Sequence, residues 1–292
     1  MPDETQATPR RVLTLHPAQR DDIIDLVTRR PLPGPGIEML DPFLFLNHHG
    51  PQVYPPRNRG LPFGPHPHRG FETVTFILEG ELSHRDSGGH ESIIHAGGIQ
   101  WMTAGSGLVH AELSPDDFKR QGGPLEILQL WVNLPARLKM TPPRYVGLQR
   151  ADIPSFPADG GRATVDVVSG AWDGHDGKIQ SLGDVHMATI RLAAGARLSL
   201  PVAAGRAVFL YVVRGAVDVA GKRAEKFNLV ELDETGSTVD LAAPEDSFVL
   251  FGHAPPLREP VFSHGPFVMT TREEIVEAIN DYRAGKFGTM LG

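Results

Sequence analysis

Two short tripeptides, His66-Pro67-His68 and His110-Ala111-Glu112, carry the side chains best suited to holding a metal ion. Each has i, i+2 spacing. Residues two apart on an extended strand point to the same face, so each pair can aim both side chains into one interior. Three imidazoles and one carboxylate then converge. That donor set suits a divalent transition metal with coordination positions left open: imidazole favours Fe, Ni, Cu and Zn, and a carboxylate adds a hard oxygen and negative charge. A lone HxH pair arises readily by chance, but two pairs of matching parity make a site. Eight of the 13 histidines also fall in this part of the chain: His48, His49, His66, His68, His84, His90, His95 and His110.

The neighbours of these pairs sort by parity. Glu72 shares the inward parity of His66 and His68 if the strand runs on unbroken, which would make it a ligand or a partner orienting one imidazole. Gly70 makes a bulge at that point plausible. Arg69 has the opposite parity and suits a carboxylate or an anion near the rim. His48 and His49 are adjacent, so at most one of them can face the same interior; both read as hydrogen-bonded or exposed. His84, His90 and His95 lie near the turn Asp86-Ser87-Gly88-Gly89 and read as solvent-facing. Trp101, Met102, Phe43, Phe45, Phe71 and Phe76 can line an apolar wall beside a metal or simply form core.

The elements that must position these residues are short strands. The 292 residues include 32 Gly and 26 Pro, a density of turn formers that suits many strands better than long helices. The chain length favours two domains, each large enough to bury a core. Residues 73–78, 99–102, 108–113 and 125–134 read as strands at regular spacing, the signature of a sandwich or small barrel. Residues 12–15 read as a first strand. Residues 135–157 contain Pro135, Pro142, Pro143, Pro154 and Pro157 and read as a linker, which divides the chain into domains 1–140 and 141–292. The strand pattern then repeats. Thr75-Phe76-Ile77-Leu78-Glu79-Gly80 resembles Leu210-Tyr211-Val212-Val213-Arg214-Gly215, and this alignment puts Pro201 and Ala203 where His66 and His68 stand. The second domain therefore lacks the first ligand pair, and its histidines, His175, His186, His253 and His264, read as structural or surface residues. Thr271-Arg272-Glu273-Glu274 is a capping-box pattern opening one helix, with Ile275, Ile279 and Tyr282 at helical spacing and Gly285 after its end.

Composition excludes several classes of function. With 28 basic and 35 acidic residues the formal net charge is −7, which disfavours a broad surface for nucleic acid or anionic membrane. Cysteine is absent, so thiolate metal sites, disulfides and cysteine nucleophiles are ruled out. A metal here must use His and carboxylate. The first residues, MPDETQATPRR, lack the apolar stretch of a secretory signal, and no run approaches a membrane span. A cytoplasmic protein is expected, cytoplasmic and nuclear if the source is a eukaryote.

The run His66-Pro67-His68-Arg69-Gly70-Phe71-Glu72-Thr73-Val74, with Gln100-Trp101-Met102-Thr103-Ala104-Gly105, Leu108-Val109-His110-Ala111-Glu112 and Gln129-Leu130-Trp131-Val132-Asn133-Leu134, resembles the pirin family of the cupin superfamily. The resemblance covers nearly the whole chain. It implies an all-β bicupin, two jelly-roll barrels with a short C-terminal helix and metal only in the N-terminal barrel. It carries the ligands over to His66, His68, His110 and Glu112, usually around iron, Fe(II) in the leading reading, with Ni, Cu, Mn, Co or Zn as substitutes. General cupins take a glutamate from the first motif, whereas here Glu112 follows His110 by two as in pirins, which favours Glu112 over Glu72. The family resemblance further implies a quercetin 2,3-dioxygenase-like activity on a flavonol-like aromatic substrate with O2, with Glu112 also accepting the substrate proton. The alternative, from a different class, is a non-enzymatic iron-binding regulatory protein that acts through a protein partner.

Overall fold

The structure, a computed structural model, describes residues 8–290, and most of them lie in strands. The chain divides into two compact units. One takes residues 19–30, 43–152 and the stretch from 257 onward; the other takes the stretch before 19, then 31–42 and 153–256. Each contains a seven-stranded and a four-stranded antiparallel sheet, so the expected two-barrel, all-β architecture is present.

The unit built on 153–256 begins with a strand from the far end of the sequence. Val12–Pro17 (β1) pairs with Asn228–Leu232 at the edge of the seven-stranded sheet, and it contributes Val12 to a core that includes Val165, Ile190, Leu210, Val230 and Phe251. In the other unit the strands are Phe43–Tyr54 (β2), Phe63–His68 (β3), Phe71–Glu79 (β4), Glu81–Asp86 (β5), Glu91–His95 (β6), Ile99–Thr103 (β7), Leu108–Leu113 (β8), Gly123–Asn133 (β9) and Arg144–Leu148 (β10). The four-stranded sheet runs β3-β8-β5-β6. The seven-stranded sheet runs β10-β7-β4-β9-β2 and is completed by Thr28–Leu32 and Gln19–Arg20.

The internal repeat has a structural basis at the aligned glycines. Gly80 joins β4 to β5 with φ of 82°, and Gly215 joins Ala207–Arg214 to Ala216–Val219 with φ of 70°. Only glycine adopts that left-handed backbone without penalty, so the same tight connection recurs in both units.

Two expectations need correcting. Residues 135–157 are not simply a linker. Arg144–Leu148 pairs with Ile99–Thr103, while Ser155–Ala158 pairs with Ala163–Ser169, so the change of unit falls between Asp152 and Ile153. Strand β10 lies at the edge of its sheet, where proline-flanked segments are tolerated. The C-terminal helix, Arg272–Arg283 (α1), expected within the domain 141–292, is not grouped with the 153–256 unit. It follows the hairpin Phe262–His264 (β11) and Phe267–Met269 (β12) into the unit that holds β2 to β10. Its capping box is formed as expected, with Thr271 Oγ1 accepting from the Glu274 backbone N–H and the Glu274 carboxylate accepting from the Thr271 N–H.

Candidate metal centre

Strands β3 and β8 lie side by side and antiparallel, with His110 opposite His66 and Leu108 opposite His68. Period-two geometry puts His66 and His68 on one face, and the register brings His110 over it. The three rings have mutual centroid distances of 4.4, 4.8 and 4.9 Å. One ligand nitrogen from each ring lies within 4.8 Å of the others, and His66 Nε2 and His110 Nε2 are 3.0 Å apart. Two nitrogens each about 2.1 Å from a common ion would sit about 3 Å apart, so this spacing fits a shared metal.

Hydrogen bonding fixes which nitrogens face one another. His66 Nδ1 lies 2.7 Å from the Gly64 carbonyl, and His68 Nδ1 lies 3.3 Å from the Pro266 carbonyl. A carbonyl can only accept, so both Nδ1 atoms carry the proton and both Nε2 atoms keep a lone pair. Burial, reinforced by the neighbouring imidazoles, holds His68 down to about 3 and His110 well below its ordinary value. Both rings are therefore neutral donors at physiological pH, the form a cation requires.

Glu112 follows on the face of β8 shared with His110, after a register shift that sets Glu112 opposite Phe63. It is buried, it is not among the ligand atoms that lie within 4.8 Å of one another, and both its oxygens are engaged. Oε1 accepts from Thr75 Oγ1 at 3.0 Å and from the Gln100 amide, and Oε2 accepts from Gln129 Nε2 at 2.5 Å. The structure thus gathers His66, His68 and His110 and places Glu112 beside them in a cradle of side-chain donors.

Glu72 lies elsewhere. The strand does not run on from His68, because Gly70 has φ of 90° and the chain re-enters as β4 in the other sheet. Glu72 accepts from Thr103 Oγ1 at 2.6 Å, and burial pushes its carboxyl up. Arg69, expected at the rim, is 4% exposed and pairs with Asp281 at 2.9 Å. His48 is bonded to Glu126 and His49 to Thr28, the non-ligand roles expected of them.

The aromatic wall is only partly as expected. Phe71 meets His68 edge-on at 5.0 Å, and Phe45 lies a layer behind, 4.7 Å from Trp131. Trp131, which belongs to the run 129–134 of the family resemblance, lies 5.3 Å from His68. Phe43, Phe76, Trp101 and Met102 are buried core.

His84 corrects the sequence reading most. It is 0% exposed, bonds through Nε2 to Asp86 at 3.1 Å, stacks on Tyr145 at 4.0 Å and lies 5.5 Å from His110. The signal was available: His84 and Asp86 are themselves an i, i+2 pair, and on β5 they stand opposite Glu112 and His110. His90 and His95 are substantially exposed, as expected. In the other unit His186 and His253 form a cross-strand pair with rings 4.6 Å apart. The Arg206 guanidinium donates to His253 Nδ1, and the pair is not part of any metal-holding group among the described residues.

Comparison with known proteins agrees with this arrangement. The pirin family matches residues 25–132, and the pirin C-terminal cupin domain matches residues 187–288. A pirin-like protein of Caulobacter vibrioides is 43% identical over 260 residues, 88% of this chain and 91% of that protein. The crystal structure of quercetin 2,3-dioxygenase from Acinetobacter baumannii superposes with a TM-score of 0.89 at 35% identity, covering 97% of this chain and 100% of that one. The Escherichia coli bacterial pirin YhhW in complex with nickel(II) gives a TM-score of 0.66 at 26% identity, over 83% of this chain and 99% of that one. With two family domains matched across its two sheet pairs and a three-histidine cluster in the first of them, the chain belongs to the pirin family.

Proposed function

We propose that the protein is a metal-dependent dioxygenase that opens a flavonol-like enol with O2, releasing carbon monoxide. The observation that carries this reading is the convergence of three imidazoles, those of His68 and His110 buried and that of His66 half-buried, with the Nε2 lone pairs of His66 and His68 fixed by carbonyl acceptors. A closed structural site is four-coordinate and tetrahedral; three imidazoles with the Glu112 carboxylate as fourth donor would leave two positions open on a six-coordinate metal. The likeness to the quercetin 2,3-dioxygenase of Acinetobacter baumannii supports the substrate class.

His66, His68 and His110 would hold the ion, with Glu112 as fourth ligand. Fe(II) is the leading choice, and Ni, Cu, Mn, Co and Zn suit the same donors. Bound there, the ion would supply Lewis acidity that lowers the pKa of a coordinated enol hydroxyl. Glu112 takes that proton, since its carboxylate lies on the strand face shared with His110. Thr75, Gln100 and Gln129 orient the carboxylate so that it does not have to be ordered during the reaction. Phe71 and Trp131 give a flat aromatic ring an apolar wall next to His68.

The test is oxygen uptake with quercetin on iron-loaded and nickel-loaded protein, beside His110→Ala. Turnover by the wild type and its loss in the variant are expected. A wild type that binds metal with normal stoichiometry yet consumes no oxygen would sink the proposal.

A further inference from the structure

Ligand His68 is oriented by an atom 198 residues away, the carbonyl of Pro266. That carbonyl belongs to the C-terminal stretch of the same unit, which is fastened to the His68-Arg69-Gly70 corner at several points. The Arg69 N–H donates to the Pro266 carbonyl, and the Val268 N–H donates to the Arg69 carbonyl at 3.0 Å. Lys139 Nζ donates to the carbonyls of Gly70 at 2.8 Å and Val268 at 3.1 Å, joining corner and stretch from a third side. The largest fastening is the Arg69 side chain. It is 4% exposed, donates through Nε to the Ser106 carbonyl at 2.7 Å and through a terminal nitrogen to Asp281 on α1 at 2.9 Å, and lies 4.6 Å from the Phe287 ring centroid.

None of these contacts touches the cluster of ligand nitrogens. Each instead sets where the Pro266 carbonyl stands, and hence which nitrogen of His68 carries the proton. Outer partners of metal-bound imidazoles fix tautomer and ring orientation, and losing them typically weakens metal affinity about 10- to 100-fold. We infer that the Arg69–Asp281 pair is a positioning pair for the metal centre: by pinning the C-terminal stretch to the His68 corner it keeps His68 in the tautomer that presents Nε2. The inference rests on the reading of His68 as a ligand, but not on what the loaded protein catalyses.

The test therefore reads the metal-free protein first. Long-range nitrogen–proton NMR of the histidine rings reports the His68 tautomer directly. In the wild type the Nδ1–H form is expected alone. In Asp281→Ala, where Arg69 loses its carboxylate, a mixture of both tautomers is expected, together with nickel(II) affinity weaker by about 10-fold or more in a chelator competition. Asp281→Asn keeps an oxygen to accept from Arg69 and should fall between the two; it decides the question if the alanine variant does not fold. Ile190→Val, a core truncation in the other unit, lowers stability without touching this network and should leave tautomer and affinity unchanged. A folded Asp281 variant with the wild-type tautomer and wild-type nickel affinity would overturn the inference, as would an equal loss of affinity in Ile190→Val. Absence of quercetin turnover would count against the dioxygenase reading alone.

Discussion

Glu112 is a buried carboxylate whose oxygens are served by Thr75, Gln100 and Gln129, and its burial is tolerable only because those donors are there. Gln100→Leu removes one donor and should cost about 1–3 kcal/mol, the usual penalty for stranding a buried acceptor. In a Glu112→Gln background the stranded group is no longer a charge, so the same leucine substitution should cost less. Urea denaturation of the four proteins of this cycle measures the coupling; strict additivity would show that Gln100 does not serve the carboxylate. Asp86 makes a pH-dependent case. Its burial alone would raise its pKa, but hydrogen bonds from His84 and His90 outweigh that and hold it at about 2. A folded-state value below the ordinary 3.8 adds stability that is fully present above the ordinary value and is lost as pH falls from about 5 through 2. The stability gap between wild type and Asp86→Asn should accordingly shrink between pH 7 and pH 3, and an unchanged gap in denaturation curves at those two pH values would contradict it. Strand parity made the three histidines legible in the sequence. The same rule applied to His84-Arg85-Asp86 would have shown that His84 faces inward, but its nearness to a turn obscured this. The cradle around Glu112 was not legible, because Thr75, Gln100 and Gln129 come from three strands whose register no local pattern reveals.

At the scale of elements, the corner between β3 and β4 decides the geometry of the site. Gly70 there has φ of 90°, and a Cβ on it would fall 1.9 Å from the Val268 carbonyl oxygen. Gly70→Ala therefore meets both a disfavoured backbone and a backbone atom that cannot swing aside, and should cost more than about 2 kcal/mol while weakening nickel(II) binding. Gly285→Ala is the matched control: φ is 75° but nothing lies within 4 Å of the added carbon, so only the conformational penalty of about 1 kcal/mol applies and metal binding should be untouched. Equal losses in thermal melts would mean that the approach of Val268 does not matter. The sequence announced a break at Gly70, and with it the doubt over Glu72, because glycine marks such corners. It did not announce that β10 would form among prolines, since an edge strand needs only one bonded neighbour and its alternation is correspondingly weak.

At the scale of the whole molecule, each end of the chain is incorporated into the unit that is distant from it in sequence: β1 joins the sheet built on 153–256, and α1 joins the unit of β2 to β10. Single-sequence patterning could not show this, because β1 and α1 reveal an apolar face without revealing its partner. Arg10, just before β1, fastens the N-terminal strand. It is 1% exposed and donates to the carbonyls of Ala203, Arg206, Asp233 and Gly236, at 2.6 to 3.1 Å. Arg10→Met keeps most of the side-chain volume but strands those acceptors, so a stability loss of about 3 kcal/mol is expected. All of its partners lie in the unit without the histidine cluster, whereas the network that fastens His68 lies wholly in the other. Nickel(II) affinity of Arg10→Met should thus stay within about twofold of the wild type, well inside the shift produced when a ligand's outer partner is lost. Calorimetric melting with chelator-competition titration on the same samples separates the two quantities. A nickel affinity that falls in step with stability would show that the metal centre depends on the integrity of the whole chain, and not only on its own two sheets and C-terminal stretch.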